Sequence, residues 1–239
     1  MLELHQFRHS AFCEKVRLVL AAKGLAYQAI EVTPGVGQLA LYRLSGQRQV
    51  PVLVDGAEVI ADSSAIALYL ETRAPQPPLL PVDPAQRAQV LLLEDWADTT
   101  LAAGARLALV QAAAADPVLR SALLPEATPD GLRSLVGAIP PALLGGFGQV
   151  VQVVDQGALQ QLRLVLEQLS LLVQAQPYLV GAQLSLADLA VAAQLSLLCF
   201  PASAGAPLAG RGVPGLADDP ALEPLFRWRD RIATEAGRP

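Results

Sequence analysis

Residues 49–64, QVPVLVDGAEVIADSS, constrain the fold more than any other stretch of this chain. Val50 and Pro51 open a short apolar strand, PVLV. Asp55-Gly56 is a dipeptide suited to a tight hairpin turn, and Glu58 to Ala61 reads as the returning strand. Asp62, Ser63 and Ser64 then precede AIALYLETRA, a helical run, and all three are residue types that cap a helix N-terminus. A helix entered there points backbone N–H groups outward, and with the helix dipole they favour a carboxylate ligand. Val50-Pro51 is a candidate cis peptide, because X–Pro bonds adopt cis at low cost. A cis bond would turn the Val50 backbone toward a ligand, whereas a trans proline would simply begin an edge strand.

Upstream, LELHQF (residues 2–7) alternates apolar and polar as a half-buried strand does. A helix is predicted over residues 11–23, with Phe12, Val16, Val19 and Leu20 at helical spacing and Gly24 as its stop. AYQAIEV (residues 26–32) is a second strand, so the unit has the length of a parallel βαβ crossover. Ser10 stands at the N-terminus of that helix and Cys13 one turn inside it. Read by themselves, such a serine caps and such a cysteine packs. Arg8 and His9 either add positive charge at this turn or are solvated. Residues 33–48 read as a loop (PGVG), a short helix (LALYRL) and another turn (SGQR).

PQPPLLPVDP (residues 75–84) cannot continue a helix and reads as a stiff linker between domains 1–74 and 85–239. Beyond it the pattern is helical. Residues 85–115 form a long helical run with Gly104 as the expected kink, ended by Asp116-Pro117. Proline and glycine cluster in residues 124–148, an insertion that is either a wall of a pocket or a surface excursion. Helix returns over residues 149–176. Ser185 and Asp188 form a capping box with Asp in the Glu position, and Leu184 and Leu189 are spaced as its hydrophobic staple. The helix that follows is apolar all round and is expected at the centre of its domain, with Cys199 in the core. EPLFRWRDRIA (residues 223–233) reads as a last amphipathic helix.

Composition sets the outer limits. The chain has 239 residues, 53% hydrophobic and 16% charged, long enough for two modest domains and too apolar for global disorder. A net charge of −5 and a pI near 5.0 argue against nucleic acid, which needs clustered Lys and Arg. Mean hydropathy is +0.40, yet the charge-free stretches at 134–154 and 189–210 carry internal Pro, Gly, Gln or Ser. Buried helices of a soluble all-α domain are therefore expected, not membrane spans. MLELHQF lacks a basic region followed by an apolar run, so no secretory signal is expected. Cys13 and Cys199 are far apart with no Cys-x-x-Cys. No metal site and no disulfide are expected, and a reducing, cytoplasmic location is.

Three segments carry a resemblance: QVPVLVDGAEVIADSSAIALYL (49–70), HSAFCEKVRLVL (9–20) and YLVGAQLSLADLAVAAQL (178–195). Together they resemble the glutathione S-transferase family. The resemblance implies an α/β plus all-α architecture, with a thioredoxin-like N-terminal domain (βαβ-α-ββα) and a helical-bundle C-terminal domain. It implies glutathione as co-substrate, no metal, a homodimer and a role in detoxification. Ser10 would contact the glutathione sulfur, with Cys13 as the alternative. Gln49, Val50, Pro51, Asp62 and Ser63 would hold the peptide: the Val50 backbone its cysteinyl unit, Asp62 its ammonium, Ser63 its γ-glutamyl carboxylate. A small hydrophobic electrophile would lie between the domains against Phe12, Trp96 and Arg106. Family members often carry a basic residue before the Val-Pro, and here that position is Gln49. Three functions follow: a transferase through Ser10, a glutathione-dependent thiol transferase or reductase through Cys13, or a non-catalytic binding or interaction protein on the same fold.

Overall fold

The computed structural model describes residues 1–33, 36–125, 128–139 and 148–238. Its N-terminal part runs β1 (Leu2–Gln6), α1 (Ala11–Ala22), β2 (Tyr27–Glu31), α2 (Val36–Ser45), β3 (Val52–Asp55), β4 (Glu58–Ala61) and α3 (Ser63–Arg73). The sheet order is β2-β1-β3-β4, with β1 parallel to β2 and the other pairs antiparallel. This is the thioredoxin-like arrangement expected. Leu2, Leu4 and Gln6 of β1 face inward, and Leu4 pairs with Leu53 across the antiparallel ladder. At the hairpin the loop residues are Gly56 and Ala57, one position later than the sequence suggests. Gly56 takes φ 64°, which a glycine adopts without steric cost. Asp55 ends β3 instead and clamps α3, accepting the Tyr69 hydroxyl at 2.9 Å and the Arg73 guanidinium.

The remainder is helical: α4 (Pro84–Trp96), a π-helical turn (Ala97–Leu101), α5 (Ala102–Ala115), α6 (Pro117–Ala122), α7 (Asp130–Ala138), α8 (Gly148–Ala175), α9 (Leu186–Leu195) and α10 (Glu223–Glu235). The irregularity in the first long run is the π turn, not Gly104. Gly104 serves packing: a Cβ there would come 3.1 Å from Leu162 Cδ1 of α8, so its absence lets α5 and α8 approach. Pro117 does end the run and opens α6, with Asp116 capping through Val118 N–H at 2.8 Å. Of the insertion, α7 lies in the expected 124–148 interval, while residues 126–127 and 140–147 lie outside the described residues.

The 75–84 segment carries no regular structure until Pro84 opens α4, and it is strapped down rather than loose. Leu79 and Leu80 are buried, their N–H groups held by the Glu71 carboxylate, and Lys23 Nζ donates to Pro77 O at 2.7 Å. Every residue of α9 is buried. Asp188 closes the box at its start, accepting the Ser185 N–H at 2.8 Å, and its other oxygen takes Leu179 N–H at 2.7 Å. Helix α1 packs on α3 and on α9, so one apolar core runs from Leu4 and Val16 through to Leu189 and Trp228. That continuity fixes the position of the α1 N-terminus against the helical half.

Candidate active site

Ser10 ends the turn after β1 with extended backbone (φ −82°, ψ 123°) and caps α1. Its Oγ accepts the Cys13 N–H at 3.4 Å. Among the described residues no group accepts the Ser10 hydroxyl proton, which leaves that proton for a ligand. Cys13 is fully buried, and its Sγ receives the Phe7 N–H at 3.5 Å. Burial pushes the Cys13 thiol above its ordinary pKa, against the smaller downward pull of the Phe7 and Ser10 hydrogen bonds. It is a packed, protonated thiol near neutral pH. His9, next to Ser10, is held neutral: burial first, then Arg8 and Arg17, lower its pKa to about 4. It adds no positive charge beside a sulfur at neutral pH.

A cleft of about 400 Å³ opens at Ser10. It brings together His9, Ser10, Phe12, Gln49, Val50 and Arg106 of the residues singled out in the sequence, with Arg48 beside them. The Val50-Pro51 bond is cis, and Pro51 is buried. Arg106 holds its guanidinium 5.5 Å from the Phe12 ring centroid. Trp96 is elsewhere: it lines a separate cleft with Gly104 and Leu162, between the π-turn region and α8. The first long run turns Arg106 and Trp96 toward different neighbours, which spacing alone did not reveal.

Asp62 and Ser63 stand at the start of α3. Asp62 is exposed, and its Oδ1 accepts the N–H groups of Ser64 and Ala65, each at 3.0 Å. Its φ of 78° is the one positive value at a non-glycine among the described residues. Such backbone costs about 1–3 kcal/mol and persists where the surroundings enforce it. Ser63 is 2% exposed and donates its hydroxyl to Asp98 Oδ2 at 3.2 Å. The sequence reading missed the buried group beneath it. Lys15, fully buried, donates to Glu94 Oε1 at 2.6 Å, to Ser64 Oγ at 3.1 Å and to Asp98. Ser64 donates to Glu94 at 2.5 Å, and Gln194 Nε2 reaches Asp98 at 3.5 Å while its Oε1 is buried with no partner among the described residues. Asp98 belongs to the π turn, an irregularity that recurs at functional sites. A signal existed: Glu94 and Asp98 are four apart in an apolar run, and Lys15 interrupts another. Among the described residues no cluster of His, Cys, Asp or Glu is placed to hold a metal, and no helix is long and apolar enough to cross a membrane.

Residues 4–78 match a family model described as glutathione S-transferase, N-terminal domain. A stringent starvation protein A homolog of Pasteurella multocida is 38% identical over 101 residues, 40% of this chain and 48% of that protein. Glutathione S-transferase Z1 of Arabidopsis thaliana is 41% identical over 90 residues, covering 36% and 41% of the two chains. The chain thus spans less than half the length of these curated relatives. The crystal structure of a glutathione S-transferase from Rhodospirillum rubrum F11 superposes with a TM-score of 0.67 at 25% identity, covering 98% of this chain and 88% of that one.

Proposed function

Taking as premise that this chain belongs to the glutathione S-transferase family, we propose that it joins the glutathione thiolate to a hydrophobic electrophile, with Ser10 stabilising the sulfur. The observation that carries this reading is the Ser10 hydroxyl, which lines the cleft with its proton accepted by no group among the described residues. A hydroxyl donating to a sulfur favours the thiolate over the thiol, and the N-terminus of α1 adds its positive end. The lowered thiol pKa supplies a nucleophile near neutral pH. The peptide would lie along Val50, with Arg48 or Gln49 at its glycyl end. At the γ-glutamyl end Asp62 would meet the ammonium and the α3 N-terminus at Ser63 the carboxylate, with Asp98 holding the Ser63 hydroxyl in place. Attack on the electrophile forms the C–S bond and expels the leaving group within the same cleft. A soluble cytoplasmic homodimer is part of this proposal.

Burial of Cys13 weighs against the thiol-transferase alternative, since a mixed disulfide needs an accessible thiolate. A second reading, binding without catalysis, is favoured by Gln49 in place of a basic residue. The test is turnover of a generic electrophile together with the pH profile of kcat/KM. Ser10→Ala should lower kcat about 100-fold and raise the apparent pKa of the bound thiol, whereas Cys13→Ala should leave that pKa unchanged. Unaltered turnover in Ser10→Ala would remove the serine mechanism. Failure of wild type to bind millimolar glutathione by calorimetry would remove both enzyme readings.

A further inference from the structure

The Ser10 cleft is uneven in charge. Its lining includes Arg48 and Arg106 and, among the described residues, no carboxylate. Arg48 stands on the side of Gln49 and Val50, with its guanidinium 5.6 Å from the Tyr42 centroid, where the reading above puts the glycyl end of glutathione. Arg106 lines the same cleft, together with Phe12, Leu109 and Leu197. It donates one hydrogen bond, from Nε to Ala102 O at 3.3 Å, and lies over the Phe12 ring. No carboxylate pairs with it among the described residues, and both terminal nitrogens keep their donors. A guanidinium held against an aromatic face is already oriented, so little freedom is lost when its fork meets an anion. His9, also in the lining, is uncharged near neutrality.

We infer that the electrophile taken by this cleft is an aryl compound bearing a carboxylate, its ring against the Phe12, Leu109 and Leu197 surface and its carboxylate on Arg106. The inference rests on the transferase reading of the cleft and narrows its substrate class from hydrophobic electrophiles in general to aryl carboxylates. Attraction to the anion comes from an exposed guanidinium with no carboxylate paired to it among the described residues, and specificity from planar two-point contact with its terminal nitrogens.

The test uses two glutathione conjugates that differ only in charge, S-(para-carboxybenzyl)glutathione and S-(para-carbamoylbenzyl)glutathione, with S-methylglutathione as the reference without a ring. Calorimetry on the full chain should find the carboxylate conjugate bound about five-fold tighter than the amide. Arg106→Gln should bring that ratio to about one, and Arg106→Lys should keep part of it. Any general loss of folding weakens both conjugates and cancels in the ratio. Equal affinities in wild type, or a preference that survives Arg106→Gln, would overturn the inference while bound S-methylglutathione left the transferase reading standing. Absence of binding by all three ligands would overturn both.

Discussion

At the scale of single residues, the chemistry at the start of α1 turns on which side chain is reachable and in what protonation state. Cys13 has no exposed surface, while Cys199 is partly exposed. Alkylation of the folded protein should therefore modify Cys199 first and reach Cys13 only on unfolding; mass spectrometry of the labelled peptides reads the order, and early labelling of Cys13 would revive a thiol-based mechanism. His9 gives a pH signature with a defined sign. Its pKa is lowered to about 4 in the fold from an ordinary value of 6.5, so between those values the unfolded chain binds a proton that the folded chain refuses. The stability it contributes is complete above the unfolded value and is lost as pH falls through that window. Urea midpoints should drop between pH 7 and pH 5, and His9→Phe should show a shallower drop over about the same range. An imidazole resonance titrating near its ordinary value would refute this.

At the scale of elements, the buried group under α3 ties three helices and the π turn to one lysine. Lys15 bridges Glu94 and Asp98 with one ammonium, and both serines at the α3 start donate to those carboxylates. Lys15→Met would leave two carboxylates without their cation, a change that costs about 3–5 kcal/mol when such a pair is buried. Adding Glu94→Gln should recover part of that loss, because the two sites share one network; a double-mutant cycle on denaturant unfolding measures the coupling, and simple additivity would show that no network exists. A tighter constraint sits at Gly212, which bridges Cys199. A methyl group there would fall 2.1 Å from Leu198 O and 2.8 Å from Cys199 Cα. Gly212→Ala should destabilise the chain by about 1–3 kcal/mol, seen as a lower thermal midpoint. Elements with local signals were legible: the β3–β4 hairpin from its glycine, the α3 start from Asp62, and the α9 start from Ser185 and Asp188. The π turn was not, because nothing in ADTTL breaks helical periodicity. Within it Asp98 meets Lys15 and Gln194, whose helices lie far away in sequence.

For the molecule as a whole, one apolar cluster includes residues from both sides of the proline-rich segment that the sequence marks as a linker. Motifs report local geometry, so residues 49–64 disclosed the cleft wall at Val50. They could not disclose that Arg106 lines that same cleft while Trp96 lines another beside α8, since those placements are set by how the long helices pack. The same packing makes the two halves depend on each other. Helix α1 packs against both α3 and α9, and Lys15 finds its counter-charges on the α4 and π-turn segment. A fragment ending before Pro84 would expose the apolar face of α1 and strand a buried lysine, a loss comparable to the whole stability of a small domain, about 5 kcal/mol. The fragment should lack dispersed amide resonances, and the intact chain should unfold in one transition. Both tryptophans, Trp96 and Trp228, lie in the helical half, so fluorescence reports that half alone, while hydrogen exchange at Leu4 and Leu53 reports the sheet. Coincident midpoints would establish a single cooperative unit. Loss of sheet protection before the fluorescence change would show instead that the thioredoxin-like part opens by itself, and that the cleft is shaped by a hinged rather than a shared core.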